Sequence, residues 1–121
     1  MKRVARSSRR KRLQLPRRRL HKVFPVNCTL LSASVAEQGA LRHTPAGLPV
    51  LDVWLEHESQ LEEAGQMRRV RARLRSIAIG PVAERLVRQQ MGTEWRFEGF
   101  LAGSGAQASR VVFHIQDFQQ D

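Results

Sequence analysis

Residues 67–87 read MRRVRARLRSIAIGPVAERLV. In the first thirteen, Val70, Ala72 and Leu74 alternate with Arg69, Arg71, Arg73 and Arg75. A helix turns about 100° per residue and would scatter those arginines around its circumference. A strand lines them up on one face and turns the apolar residues to the other. The pattern predicts a strand over 67–79. Gly80-Pro81 follows, and proline suits the first position of a helix. Ala83, Leu86, Val87 and Gln90/Met91 then form one apolar side, which predicts a short helix over 81–91.

The rest of the chain is read outward from that strand and helix. Upstream, residues 26–36 (VNCTLLSASVA) are apolar and β-branched and predict a strand. Pro45-Ala46-Gly47 makes a turn. Residues 48–59 alternate, with Leu51, Val53 and Leu55 on one face and Asp52, Trp54, Glu56 and Glu58 on the other. Residues 60–66 read as a polar loop. Downstream, residues 92–102 predict a strand that sets Trp95, Phe97, Gly99 and Leu101 against Glu94, Arg96, Glu98 and Phe100. Residues 103–109 (GSGAQAS) read as a small flexible loop, and residues 110–118 as a last strand. The order is β-β-β-α-β-β. It predicts an all-β, five-stranded OB-fold barrel with one short helix between strands 3 and 4. A domain this small buries a modest share of its surface, so dimerisation would stabilise it.

The chain has 121 residues and a formal charge of +10. Residues 1–22 hold 11 of the 21 basic residues and no acidic one. Residues 23–121 keep 21 − 11 = 10 basic residues against 11 acidic ones, a net of −1. The bulk charge therefore belongs to the tail, and the domain is near neutral. Like charges at this density repel, so residues 1–25 are expected to form a disordered basic tail ahead of a domain over 26–121. Three readings of the tail stand: a nucleic-acid-binding arm, a transit peptide, or an artefact of an upstream start site. No run of apolar residues is long enough for a transmembrane helix. The single Cys28 cannot form an internal disulfide, and a reduced intracellular setting is the default. Cys28 is expected in the core or as a quiet thiol. The four histidines lack metal spacing, and His57 is expected to have a local strand partner.

Several stretches together resemble the primosomal replication protein N (PriB) family, relatives of bacterial single-stranded-DNA-binding protein. They are Val26-Asn27-Cys28-Thr29-Leu30, Leu41-Arg42-His43-Thr44-Pro45-Ala46-Gly47-Leu48-Pro49, Leu55-Glu56-His57-Glu58-Ser59, Gly92-Thr93-Glu94 and Glu98-Gly99-Phe100-Leu101. The resemblance runs from about Val26 to Phe118. It implies a homodimeric OB-fold protein of the bacterial cytoplasm, without catalytic activity or cofactor, that acts in replication restart at stalled forks. Its implied partners are single-stranded DNA, the primosomal helicase PriA and the protein DnaT or an equivalent loader. Family members typically begin near the position of Val26, and a valine there fits a GUG start codon.

Single-strand binders need cations along the backbone and flat side chains under the bases. Arg69, Arg71, Arg73 and Arg75 lie on a strand that OB-folds commonly use for oligonucleotides. Trp54 is the candidate stacking platform, because Arg71 stands where the family pattern carries an aromatic. Arg42, with His43 beside it, falls in the hairpin where the family has basic contacts. Arg110 is the remaining candidate, next to a loop that is lysine-rich in the family's best-known form and uncharged here. That departure predicts weak single-strand binding by the domain alone. A blander reading also stands: Asp52, Glu56 and Glu58 share the face and could neutralise the arginines as an ordinary solvated surface. The competing functions are therefore a DNA-binding primosome accessory, a protein adaptor with little DNA affinity, and an RNA binder acting through the tail.

Overall fold

The computed structural model describes residues 25–120. The expected basic tail lies outside the described residues, apart from Pro25. Six strands and one helix follow: β1 (Thr29–Gln38), β2 (Arg42–His43), β3 (Pro49–Glu63), β4 (Gln66–Ile79), α1 (Pro81–Val87), β5 (Glu94–Ser104) and β6 (Gln107–Gln119). β1 pairs antiparallel with both β3 and β5. β6 pairs antiparallel with β5 and runs parallel to β4. These contacts close five strands into a barrel in the order β1-β3-β4-β6-β5, with β2 a two-residue piece on β3. This is the expected OB-fold, with α1 between the third and fourth barrel strands.

Strand alternation fills the interior. Leu51, Val53 and Leu55 of β3 are buried, and so are Ala33 and Val35 of β1 and Phe97 of β5. Val82, Ala83 and Leu86 of α1 close one end of the core. On β6 Phe113, Ile115 and Phe118 enter the core cluster, with Val112 buried outside it, and the step from Ile115 to Phe118 breaks a strict period of two. A bulge explains the break. Glu98 pairs with Asp117 and Gly99 with Ile115, so Gln116 is an extra residue and the phase shifts there. Gly99 is required by the same crossing: a Cβ there would stand 1.9 Å from the His114 carbonyl oxygen.

Four expectations are corrected. Residues 60–66 are no loop, because the β3–β4 ladder runs unbroken from Val50↔Ile79 to Glu63↔Gln66. The turn is only Ala64-Gly65, both at positive φ (55° and 82°), as the right-handed twist of a tight hairpin demands. Residues 103–109 are likewise the end of a hairpin, with β5 reaching Ser104 and β6 starting at Gln107. The helix stops at Val87, four residues early, and Met91 is exposed where the helical spacing placed it on the apolar side. Past Val87, Gln89 N–H donates to the Leu86 carbonyl and Gly92 turns the chain at φ 90° towards β5. Cys28 is exposed, just ahead of β1, and is not core.

Ala64 carries a Cβ into a conformation that costs an L-residue about 1–2 kcal/mol. Ala64→Asn, which recreates the Asn-Gly pair favoured in such turns, is expected to add roughly 1 kcal/mol. In a domain this size that is a rise of about 4–8 °C in Tm. A melting curve with an unchanged or lower Tm would refute the turn assignment. No helix among the described residues is long and apolar enough to cross a membrane.

Candidate nucleic-acid interface

The register of β3 against β4 decides which side chains share the outer face. Trp54 stands opposite Arg75, Glu56 opposite Arg73, Glu58 opposite Arg71, and Gln60 opposite Arg69. All four arginines are exposed. Trp54 is half-buried among them. Arg42 joins the face from β2 through Asp52, which accepts from its Nε and Nη2 at 3.1 and 2.9 Å. Arg42, Trp54, Arg69, Arg71, Arg73 and Arg75 are thus brought onto one surface. Arg110 is not. It sits on the β5–β6 hairpin, where Ser104↔Gln107 and Gly103↔Val111 leave residues 108–110 as an excursion, and β6 meets β4 only from Phe113.

The arginines of the stripe are not equivalent. Arg73 donates to Glu56 of β3 at 2.9 Å and to Glu37 of β1 at 2.7 Å, and its guanidinium lies 5.2 Å from the Trp54 ring centroid. It therefore ties three barrel strands together. Arg69 is paired with Glu58. Arg71, although directly opposite Glu58, makes no ion pair among the described residues, because that carboxylate is turned to Arg69. Arg75 also makes none among the described residues. Two arginines of the stripe are therefore available to an incoming anion, and two are held. The carboxylate neutralisation open from the sequence holds for half of the stripe. Glu37 comes from β1, which pairs with the far side of β3, so Arg73 reaches it across that strand.

Two clefts flank this surface. One is lined by Trp54 and Arg75 with Glu37, Gln38, Gly39, Asp52 and Val53. The other is lined by Arg71 and Arg73 with Ser34, Glu56, His57, Glu58, Ala72, Gly92 and Glu94. His57 has the local partners expected of it. Its Nδ1–H donates to the Ser32 carbonyl at 2.6 Å, and its Nε2 lies 2.8 Å from Ser59 Oγ. The β1–β3 ladder stops at Ser34↔Glu56, so the His57 ring continues the contact by side chain. Among the described residues no three His, Cys, Asp or Glu side chains gather to hold a metal ion.

A closed OB barrel with cations and an outward-facing aromatic on its second and third barrel strands is the architecture of single-strand nucleic-acid binders. A family model described as another single-strand binding protein family matches residues 27–117. Replication restart protein PriB of Bordetella pertussis is 45% identical over 91 residues, covering 75% of this chain and 85% of the relative. That of Neisseria meningitidis serogroup B is 36% identical over 94 residues, covering 78% and 93%. The chain belongs to the PriB family of replication restart proteins. Among solved structures, PriB of Ralstonia solanacearum superposes with a TM-score of 0.70 at 30% identity, covering 79% of this chain and 98% of that one. The single-stranded DNA binding protein of Thermus aquaticus shares the fold, with a TM-score of 0.61 at 24% identity over 78% of this chain and 49% of its own.

Proposed function

We propose that this chain binds single-stranded DNA on the outer face of β3 and β4 as an accessory protein of the primosome in replication restart. The observation that carries the reading is Trp54 set opposite Arg75 on that face, with Arg71 further along the same row. A ring and two available guanidinium groups supply the stacking surface and the backbone cations that a single strand needs. The names of the relatives support the replication-restart setting. The protein is a non-catalytic homodimer of the bacterial cytoplasm, acting at forks without a cofactor. Its protein partners are the primosomal helicase PriA and DnaT or an equivalent loader.

A second reading, an adaptor with little DNA affinity, is favoured by two observations. Arg69 and Arg73 are already held by carboxylates. The residues from Gly103 to Ser109 carry no charge.

Trp54 separates the two readings. Base stacking on an aromatic is worth about 1–3 kcal/mol by alanine substitution. Trp54→Ala is therefore expected to weaken binding of labelled oligothymidine about 5- to 150-fold in fluorescence anisotropy. DNA should also quench tryptophan emission in the parent chain and not in Trp54→Phe. The second tryptophan, Trp95, sits edge-on to Phe118 at 5.0 Å and partly buried, so it should not report. An unaltered affinity and an unaltered quench would favour the adaptor. Light scattering checks the dimer.

A further inference from the structure

Arg69 and Arg73 stand in the same row as Arg71 and Arg75, at a strand spacing of about 6.8 Å per step. Their guanidinium groups are occupied by Glu58, Glu56 and Glu37. These pairs are exposed: Arg73 is 41% accessible, and Glu37 and Glu56 are 64% and 56% accessible. Exposed pairs of this kind are weak, so they add little to the fold. Their geometry has another consequence. A carboxylate presents two oxygens to a guanidinium much as a phosphate does. It is also tethered beside its arginine at high effective concentration, which a phosphate from solution must overcome.

We propose that Glu37, Glu56 and Glu58 are built-in competitors for nucleic-acid phosphates and hold the affinity of this face below what its four arginines could supply. The inference rests on the outer face being the DNA surface. In this arrangement Arg71 and Arg75 make the phosphate contacts of the resting protein. Arg69 and Arg73 engage only when their carboxylates are displaced, and each displaced carboxylate then lies beside the phosphate that replaced it. Both effects weaken the grip. The strand is held loosely, as a protein that must pass DNA on to a second factor requires.

The test uses the full-length chain with its eleven basic residues between Lys2 and Lys22 changed to Gln, so that the tail cannot mask the face. In that background Glu37→Gln/Glu56→Gln/Glu58→Gln keeps side-chain shape and removes three charges. Each arginine released adds about 0.7 to the log–log salt slope for a single strand, or roughly fivefold in affinity at about 0.1 M salt relative to 1 M. Labelled oligothymidine is expected to bind roughly 5- to 25-fold tighter, with a slope steeper by up to about 1.4. Adding Arg69→Ala/Arg73→Ala should abolish the gain. A matched control, Glu84→Gln/Glu98→Gln/Asp117→Asn, removes the same charge and frees Arg85 away from the stripe. It should leave affinity within about twofold of the parent, less than the fivefold of a single released contact. Melting curves establish that each variant is folded.

A triple glutamine variant no tighter than the control overturns the proposal. If Arg71→Ala/Arg75→Ala still weakens binding in that case, the DNA face stands and only the competition fails. If neither set of changes moves the affinity, the DNA face itself is wrong, and the proposal falls with it.

Discussion

Phe97→Ala lowers the unfolding free energy by about 3–5 kcal/mol, the range for a fully buried phenylalanine. Phe97 is 0% exposed on β5, inside the barrel. Its ring lies 5.8 Å from that of Phe118, which in turn meets Trp95 edge-on at 5.0 Å. Leu31 and Phe118 are its partners across the two neighbouring strands. Removing the ring empties the point where β1, β5 and β6 meet, and a closed barrel cannot collapse onto the gap without breaking its ladder. Domains of about 95 residues hold on the order of 5–15 kcal/mol in total, so this one change removes a large share. Urea unfolding followed by tryptophan emission and by far-UV circular dichroism should give coincident curves with a lower midpoint and an unchanged slope. Phe100→Ala is the contrast. Phe100 stacks on His114 at 4.8 Å on the outer face, half-buried, and its loss should cost clearly less. A Phe97→Ala loss no greater than that of Phe100→Ala would refute the assignment of the core.

Arg71→Ala/Arg75→Ala weakens single-stranded DNA binding on the order of 25-fold at about 0.1 M salt and flattens the log–log salt slope by about 1.4. The arithmetic is two phosphate contacts at 0.7 each, referred to 1 M salt. Arg69→Ala/Arg73→Ala in the otherwise unchanged chain should do less, because both guanidinium groups already face carboxylates. The contrast between the two pairs is sharper than either number. The four residues share one strand, one face and one chemistry, and the two pairs differ in whether glutamates hold them. Equal losses from both pairs would mean that the pairing has no bearing on the interface. Since both pairs are exposed, stability should change by less than about 1 kcal/mol in each, and a larger loss would point to a role in the fold.

Much of this protein was legible in its sequence. The period of two in residues 67–79 placed Arg69, Arg71, Arg73 and Arg75 on one side of a strand, and the same period in β3 buried Leu51, Val53 and Leu55. The helix position followed from Gly80-Pro81. These are local properties: backbone pleat sets the alternation, and proline sets the helix start. The errors were local as well. The stretch 60–63, one leucine among Gln and Glu, resembles a loop because a hairpin projecting into solvent needs no apolar face, and only the partner strand shows that it remains paired.

Which arginines are free could not be read from the chain. Glu37 reaches Arg73 from 36 residues away, through the β1–β3 pairing that closes the barrel. Glu58 stands opposite Arg71 but holds Arg69, a choice between neighbours made by side-chain geometry on a twisted sheet. The sequence by itself determined the alternating strands, their order and the composition of the outer face, since each depends on spacing along the backbone. Tertiary structure alone decided which of the charges on that face cancel. Ion pairing depends on a few ångströms between residues distant in sequence, and only the closed barrel sets those distances.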